Sequence, residues 1–128
     1  MRDFKKLKVR ERSYRLTLAA YEATATFPRE ELYGLTSQIR RSCAAIPANI
    51  VEGCGRGTNA DLARFLQMAL GSVSELKCHL LLARDLALLD EPDHERLATE
   101  VTEIERMLTS FVKSLRAFAN PPNLKPGA

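Results

Sequence analysis

Apolar residues recur along most of this chain in alternating steps of four and three, the spacing that lines up one face of an α-helix. The clearest run is Leu62, Leu66, Ala69, Val73, Leu76, Leu80, Ala83 and Ala87. A second follows it, with Leu97, Val101, Ile104, Leu108, Phe111, Leu115 and Phe118 in the same alternation. Both are seams of the kind that pack helices side by side. Near the start, Leu7, Tyr14, Leu18, Tyr21 and Ala25 form a looser stripe that predicts a helix from about Phe4 to Thr26, ended by Phe27-Pro28. Between these segments Leu35, Ile39, Cys43, Ile46 and Ile50 fall within roughly 80° of one another on a helical wheel.

Turn signals separate the four segments. Pro28 to Glu31 predicts a short helical turn that Gly34 interrupts. Pro47 lies inside the second helix, where it removes one backbone hydrogen bond and deprives the Cys43 carbonyl of its helical donor. The apolar phase continues across it, which predicts a bend and not a break. Gly53 is expected to stop this helix, with Gly55 and Gly57 extending the loop. Asn59 is expected to cap the third helix, with Asp61 in its first turn, and Asp90 and Pro92 open the fourth. The predicted class is all-α: an antiparallel up-down-up-down four-helix bundle with a Pro-bent second helix, over residues 1–119. Residues 120–128, rich in Pro and Gly, read as a disordered tail.

The third helix carries a further strip away from its seam: Met68, Leu82, Leu86 and Leu89. Isolated surface leucines need no explanation, but an ordered strip predicts an oligomer interface, the reading preferred here. Composition agrees with helix packing, since hydrophobic residues make up 45% of the chain and aromatics only 6%, with no Trp. The three cysteines, Cys43, Cys54 and Cys78, form no C-x-x-C pair and read as reduced thiols, with Cys43 and Cys78 as small core residues. The charged start, MRDFKKLKVRERS, lacks an apolar leader core, and no run of 18 apolar residues exists, so a cytoplasmic protein is expected.

Residues 1–30 hold eight Lys/Arg against four Asp/Glu, so the formal excess of +3 is concentrated there. Lys5, Lys6, Lys8, Arg10, Arg12 and Arg15, after Arg2, make a denser basic run than a merely solvated face requires. With Arg56 in the glycine loop they are the candidate nucleic-acid contacts. Phe4 and Tyr14 alone give a thin stacking platform, so such binding would be directed at the phosphate backbone. Gln38, Arg41, Asn49 and Glu52 share another face of the second helix. They are read as a polar network at a bundle or subunit contact in which Arg41 and Glu52 neutralise each other; a recognition surface is the alternative. The Gly53–Gly57 run follows a helix and lacks the Lys-Ser/Thr of a phosphate loop. His79 and His94 stand alone, the serines have no His at motif spacing, and the acids of the fourth helix read as solvated. No catalytic residue, metal ligand or cofactor is assigned, and a non-enzyme is expected.

FKKLKV near the start, FPREELYGLTSQIRRSCAAIPANIVEGCGRG in the middle and RFLQMALGSVSELKCHLLLARDL after it carry a family resemblance. Over roughly residues 4–118 the chain resembles the four-helix-bundle proteins encoded within intervening sequences of bacterial 23S ribosomal RNA genes. The motif falls on Gln38, Arg40, Arg41, Ile46, Pro47, Asn49, Ile50, Glu52, Gly53 and Gly55. The resemblance implies a cytosolic bundle that assembles into a ring-like homopentamer, with a basic surface suspected of binding nucleic acid. It implies no catalytic activity. Where the family often has Trp-Gln after the K-V step, this chain has Arg10-Glu11. The expected function is therefore a homo-oligomeric bundle binding ribosomal RNA or DNA through its basic surface. The alternative is a protein-interaction scaffold or accessory factor, and no membrane partner is expected.

Overall fold

The computed structural model describes residues 2–119, and side chains from Phe4 to Ala117. The expected tail at 120–128 and the Phe118 side chain lie outside the described residues, as does the Arg2 side chain. Four helices form: α1 (Arg2–Thr24), α2 (Leu35–Cys54), α3 (Asn59–Asp85) and α4 (Glu91–Ala119), with a 3₁₀ turn at Arg29–Glu31 before α2. No strand occurs among the described residues. α2 packs against α1 and most extensively against α3, and α4 packs against α3 and α1, closing the four around one core. Contacts between neighbours run in opposite chain directions. Gly53 faces Phe65 while Arg41 reaches Glu75, and Arg12 meets Glu100 while Leu16 lies by Leu97.

The stripes of α2, α3 and α4 form this core. Ile39, Cys43, Ile46, Ile50, Leu66, Val73, Leu76, Val101, Ile104 and Leu108 are fully buried. The stripe expected on α1 is wrongly phased. Leu7 is 64% exposed and Tyr14 60%, and Leu18, Tyr21 and Ala25 are exposed too. The buried face is instead Val9, Ser13, Leu16, Ala20 and Thr24, followed by Phe27. Its hydroxyls hide it from a hydrophobicity pattern. Ser13 Oγ donates to the Arg10 carbonyl at 3.1 Å, and Thr24 Oγ1 to the Ala20 carbonyl at 2.8 Å. A hydroxyl satisfied by its own helix packs in a core at little cost.

α2 runs through Pro47 as one helix. The Cys43 carbonyl, which Pro47 cannot serve, lies 3.4 Å from Thr17 Oγ1 of α1, whose nearer acceptor is the Ser13 carbonyl at 2.9 Å. Gly53 does not stop α2. It is buried inside the helix, and a Cβ there would stand 2.8 Å from Phe65 Cβ and 3.1 Å from Leu62 Cδ1. Glycine is required because α3 crosses too close for any side chain. α2 ends one residue later, at Cys54, with Gly55 as its C-cap, and Gly57 at φ +91° turns the chain in the loop that follows. Thr58, not Asn59, caps α3: its hydroxyl accepts the Asp61 N–H at 3.1 Å.

α3 ends in a Schellman motif built on an alanine. Ala87 has φ +61°, its N–H reaches the Arg84 carbonyl at 2.9 Å, and the Leu88 N–H reaches the Ala83 carbonyl at 2.9 Å. The reversal throws Ala87 out of the expected seam and turns Leu89 inward. Asp90 Oδ1 then accepts the Asp93 N–H at 2.8 Å and starts α4.

Candidate functional site

α1 carries the basic run, and its packing decides which of those groups stay available. Arg12 is committed. Its Nε and Nη2 donate to the two Glu100 carboxylate oxygens at 2.7 and 3.0 Å, a fork that ties α1 to α4 and holds the guanidinium more firmly protonated. Arg15 pairs with Glu11 one turn earlier on its own helix. Arg56 pairs with Glu52 at 3.1 Å, and its guanidinium lies 4.9 Å from the Phe65 ring centre. Lys8 stands 6.0 Å over the Phe4 ring. Lys5 and Lys6 are half-buried, and Lys8 and Arg10 are exposed. Among the described residues, Lys5, Lys8 and Arg10 form no ion pair.

Other basic side chains went unnoticed in the sequence because they lie far from the run. The Arg64 guanidinium lies 4.6 Å from the centre of the Phe65 ring and reaches Asp61 at 3.7 Å. Lys113 and Arg116 are exposed on the last turns of α4. The signal was available only by combining the predicted helix order with the charges at each helix end.

The polar set on α2 does not form the network expected. Arg41 bonds Gln38 Oε1 at 2.6 Å, but its carboxylate partner is Glu75 of α3, not Glu52. Glu52 serves Arg56, and Asn49 Nδ2 turns back to the Ala45 carbonyl at 2.9 Å. Arg41, and secondarily His79, holds the Glu75 carboxyl below its ordinary value. His79 Nε2, at 3.6 Å, is close enough for attraction but too far for a hydrogen bond. The set thus splits into an α2–α3 tie, a bond within α2 and an ion pair from α2 to the loop after it.

Two apolar faces remain uncovered. Met68, Leu82 and Leu86 are about half exposed on α3, with Leu81 beside them. Leu89 does not belong to that face: at 3% exposure it is part of the core. The other face is the misphased stripe of α1, Phe4, Leu7, Tyr14, Leu18 and Tyr21, each left at least 45% exposed by the described residues. Arg40 lies 4.5 Å over the Tyr21 ring and donates to Thr24 Oγ1 at 2.9 Å, fixing one end of that face.

Among the described residues no three His, Cys, Asp or Glu side chains converge as a metal set, and no helix is long and apolar enough to cross a membrane. Cys43 is fully buried, and burial pushes its thiol up to about 11 against a small opposing effect of the Thr17 hydroxyl. Cys78, expected in the core, is exposed, and Cys54 is half-buried.

These features define a class: an all-α four-helix protein presenting a basic helix and two apolar helix faces. The family model for 23S rRNA-intervening sequence proteins matches residues 5–110, and the chain belongs to that family. The chain is also similar to the crystal structure of a protein of unknown function from the S23 ribosomal protein family of Bacteroides thetaiotaomicron VPI-5482. The identity is 26% and the TM-score 0.76, over 85% of this chain and 98% of that one. No curated protein matches the chain.

Proposed function

We propose that this chain is a non-enzymatic, self-associating bundle protein of the cytoplasm that binds nucleic acid, ribosomal RNA or DNA, through its basic surface. The observation that carries this reading is the start of α1, where Lys5, Lys8 and Arg10 lie close together without an ion pair to quench them among the described residues. The family's origin in 23S ribosomal RNA genes makes RNA the first ligand to test. Binding of ribosomal RNA fragments to the purified protein, measured across a salt series, should weaken steeply as salt rises. Replacing Lys5, Lys6 and Lys8 by Glu should abolish it. Absent or salt-independent binding overturns the proposal.

Self-association is supported by the two apolar faces. They differ in residues and lie on different helices, and two unlike patches suit head-to-tail contact, which forms a ring where the rotation between copies closes. Five copies is what the family resemblance implies. Leu18→Glu and Leu82→Glu, each on an exposed site, should both shift the particle mass in light scattering toward the monomer. A wild-type monomer removes this part of the proposal. The same faces favour a second reading, a scaffold whose partner is another polypeptide. Capture that survives nuclease and depends on Leu82 or Arg41 would select it.

A further inference from the structure

The fold separates charge along the bundle. Arg12 meets Glu100 and Leu16 lies by Leu97, so the start of α1 runs beside later turns of α4. Gly53 touches Phe65, and Ala63 shares a groove with Leu115. The starts of α1 and α3 therefore share one end of the molecule with the ends of α2 and α4. At ~1.5 Å per residue, Lys5 lies about 10 Å beyond Arg12 toward that end. There Arg64, Lys113 and Arg116 join Lys5, Lys8 and Arg10. The opposite end gathers Glu30, Glu31, Asp85, Asp90, Glu91 and Asp93, which outnumber Arg29, Arg84 and Arg96 there, the last two paired with Asp85 and Asp93. A polyanion meets an attractive pole and a repulsive one, and would be oriented before contact.

At the basic pole an open groove of ≈ 840 Å³ runs between the first turns of α3 and the last turns of α4. The buried Ala63 and Leu115 make its apolar floor, with the exposed Ala60 and Ala117 beside them, and the exposed Arg64, Gln67 and Arg116 line its sides. Arg64 is held in place by the Phe65 ring and by Asp61, whereas Arg116 forms no ion pair among the described residues. We infer that this groove is a nucleotide subsite, seating one unpaired nucleotide of a bound strand with its base on the apolar floor and its phosphates between Arg64 and Arg116. The guanidinium planes of Arg64 and Arg116 beside an apolar floor suit the face of a base lying free of its stack, and the Gln67 amide suits its edge. A duplex keeps its bases stacked inside and offers the groove only phosphate. The inference rests on the nucleic-acid reading and adds to it a second contact and a strand preference.

The test is fluorescence anisotropy with a labelled single-stranded RNA oligonucleotide and a duplex of equal length. Four proteins are compared: wild type, Arg64→Glu/Arg116→Glu, Lys5→Glu/Lys6→Glu/Lys8→Glu, and Arg29→Glu/Arg96→Glu at the acidic pole. Arg64 and Arg116 are exposed, so circular dichroism should match wild type, and loss of the Asp61 and Phe65 contacts should lower the melting point by no more than about a few degrees. The groove variant should lose roughly tenfold or more in affinity for the single strand, and the slope of log affinity on log salt should fall by about 1.4 for two contacts. Wild type should favour the single strand, and the acidic-pole variant should bind it as wild type does. If the groove variant binds normally while the lysine variant does not, the inference is wrong and the basic-surface reading stands. Equal loss in the acidic-pole variant, or equal affinity for duplex, also overturns the inference. No binding by wild type takes down both.

Discussion

Gly53→Ala adds one methyl group at the closest approach of α2 and α3. The new Cβ would stand 2.8 Å from Phe65 Cβ, 3.1 Å from Leu62 Cδ1 and 3.4 Å from Leu62 Cα. Relaxed carbon contacts lie at about 3.5–4.0 Å. Leu62 Cδ1 can rotate aside, but Phe65 Cβ is joined directly to the α3 backbone. The helices must therefore part locally by roughly 0.7 Å or more, across the most extensive helix contact in the protein. Overpacking of this kind costs about 1–3 kcal/mol. Alanine recovers up to about 1 kcal/mol through its better helix propensity, leaving a net loss of about 1 kcal/mol at the middle of that range. Thermal melting followed by circular dichroism should show a fall of several degrees. Gly71→Ala makes the same chemical change inside α3 where a Cβ meets nothing within 4 Å, and should raise the melting point slightly. A Gly53→Ala protein that melts at or above wild type would refute the claim that close packing, and not chain reversal, demands glycine there.

Thr17→Val should cost about 1 kcal/mol in urea unfolding because it strips the Cys43 carbonyl of its hydroxyl contact, whereas Thr17→Ser should cost less; equal effects would count against that contact. Ala87→Gly should stabilise by up to about 1 kcal/mol, since alanine at φ +61° carries a steric penalty that glycine avoids. In an NMR titration Glu75 should ionise below ordinary glutamate and move back up in Arg41→Met. The depressed carboxyl contributes stability at neutral pH that disappears as pH falls through the carboxylate range, and on a pair this exposed it amounts to under about 1 kcal/mol. A thiol reagent should modify Cys78 quickly and Cys43 only on unfolding, because Cys43 is both buried and held protonated; rapid reaction of Cys43 in the folded protein would contradict its placement.

The helix count, the order of the elements and three of the four buried faces followed from local pattern. Leucines and valines repeating in phase leave a helix few ways to hide them, as Leu66, Leu76, Ile104 and Leu108 show by their complete burial. α1 could not be read that way. Its inner face relies on Ser13 and Thr24, whose hydroxyls are quenched by their own backbone, while its outer face shows larger tyrosines and leucines. Residue type alone ranks those faces in the wrong order. The site divides similarly. The basic run of α1 was legible because its members are neighbours in sequence. That Arg12 is tied to Glu100, that Arg41 answers Glu75 and that Arg64 and Arg116 share a groove depend on which helices lie together. Local spacing determines which face a helix must bury. Only the packing of all four decides which charges meet across an interface and which gather at one end.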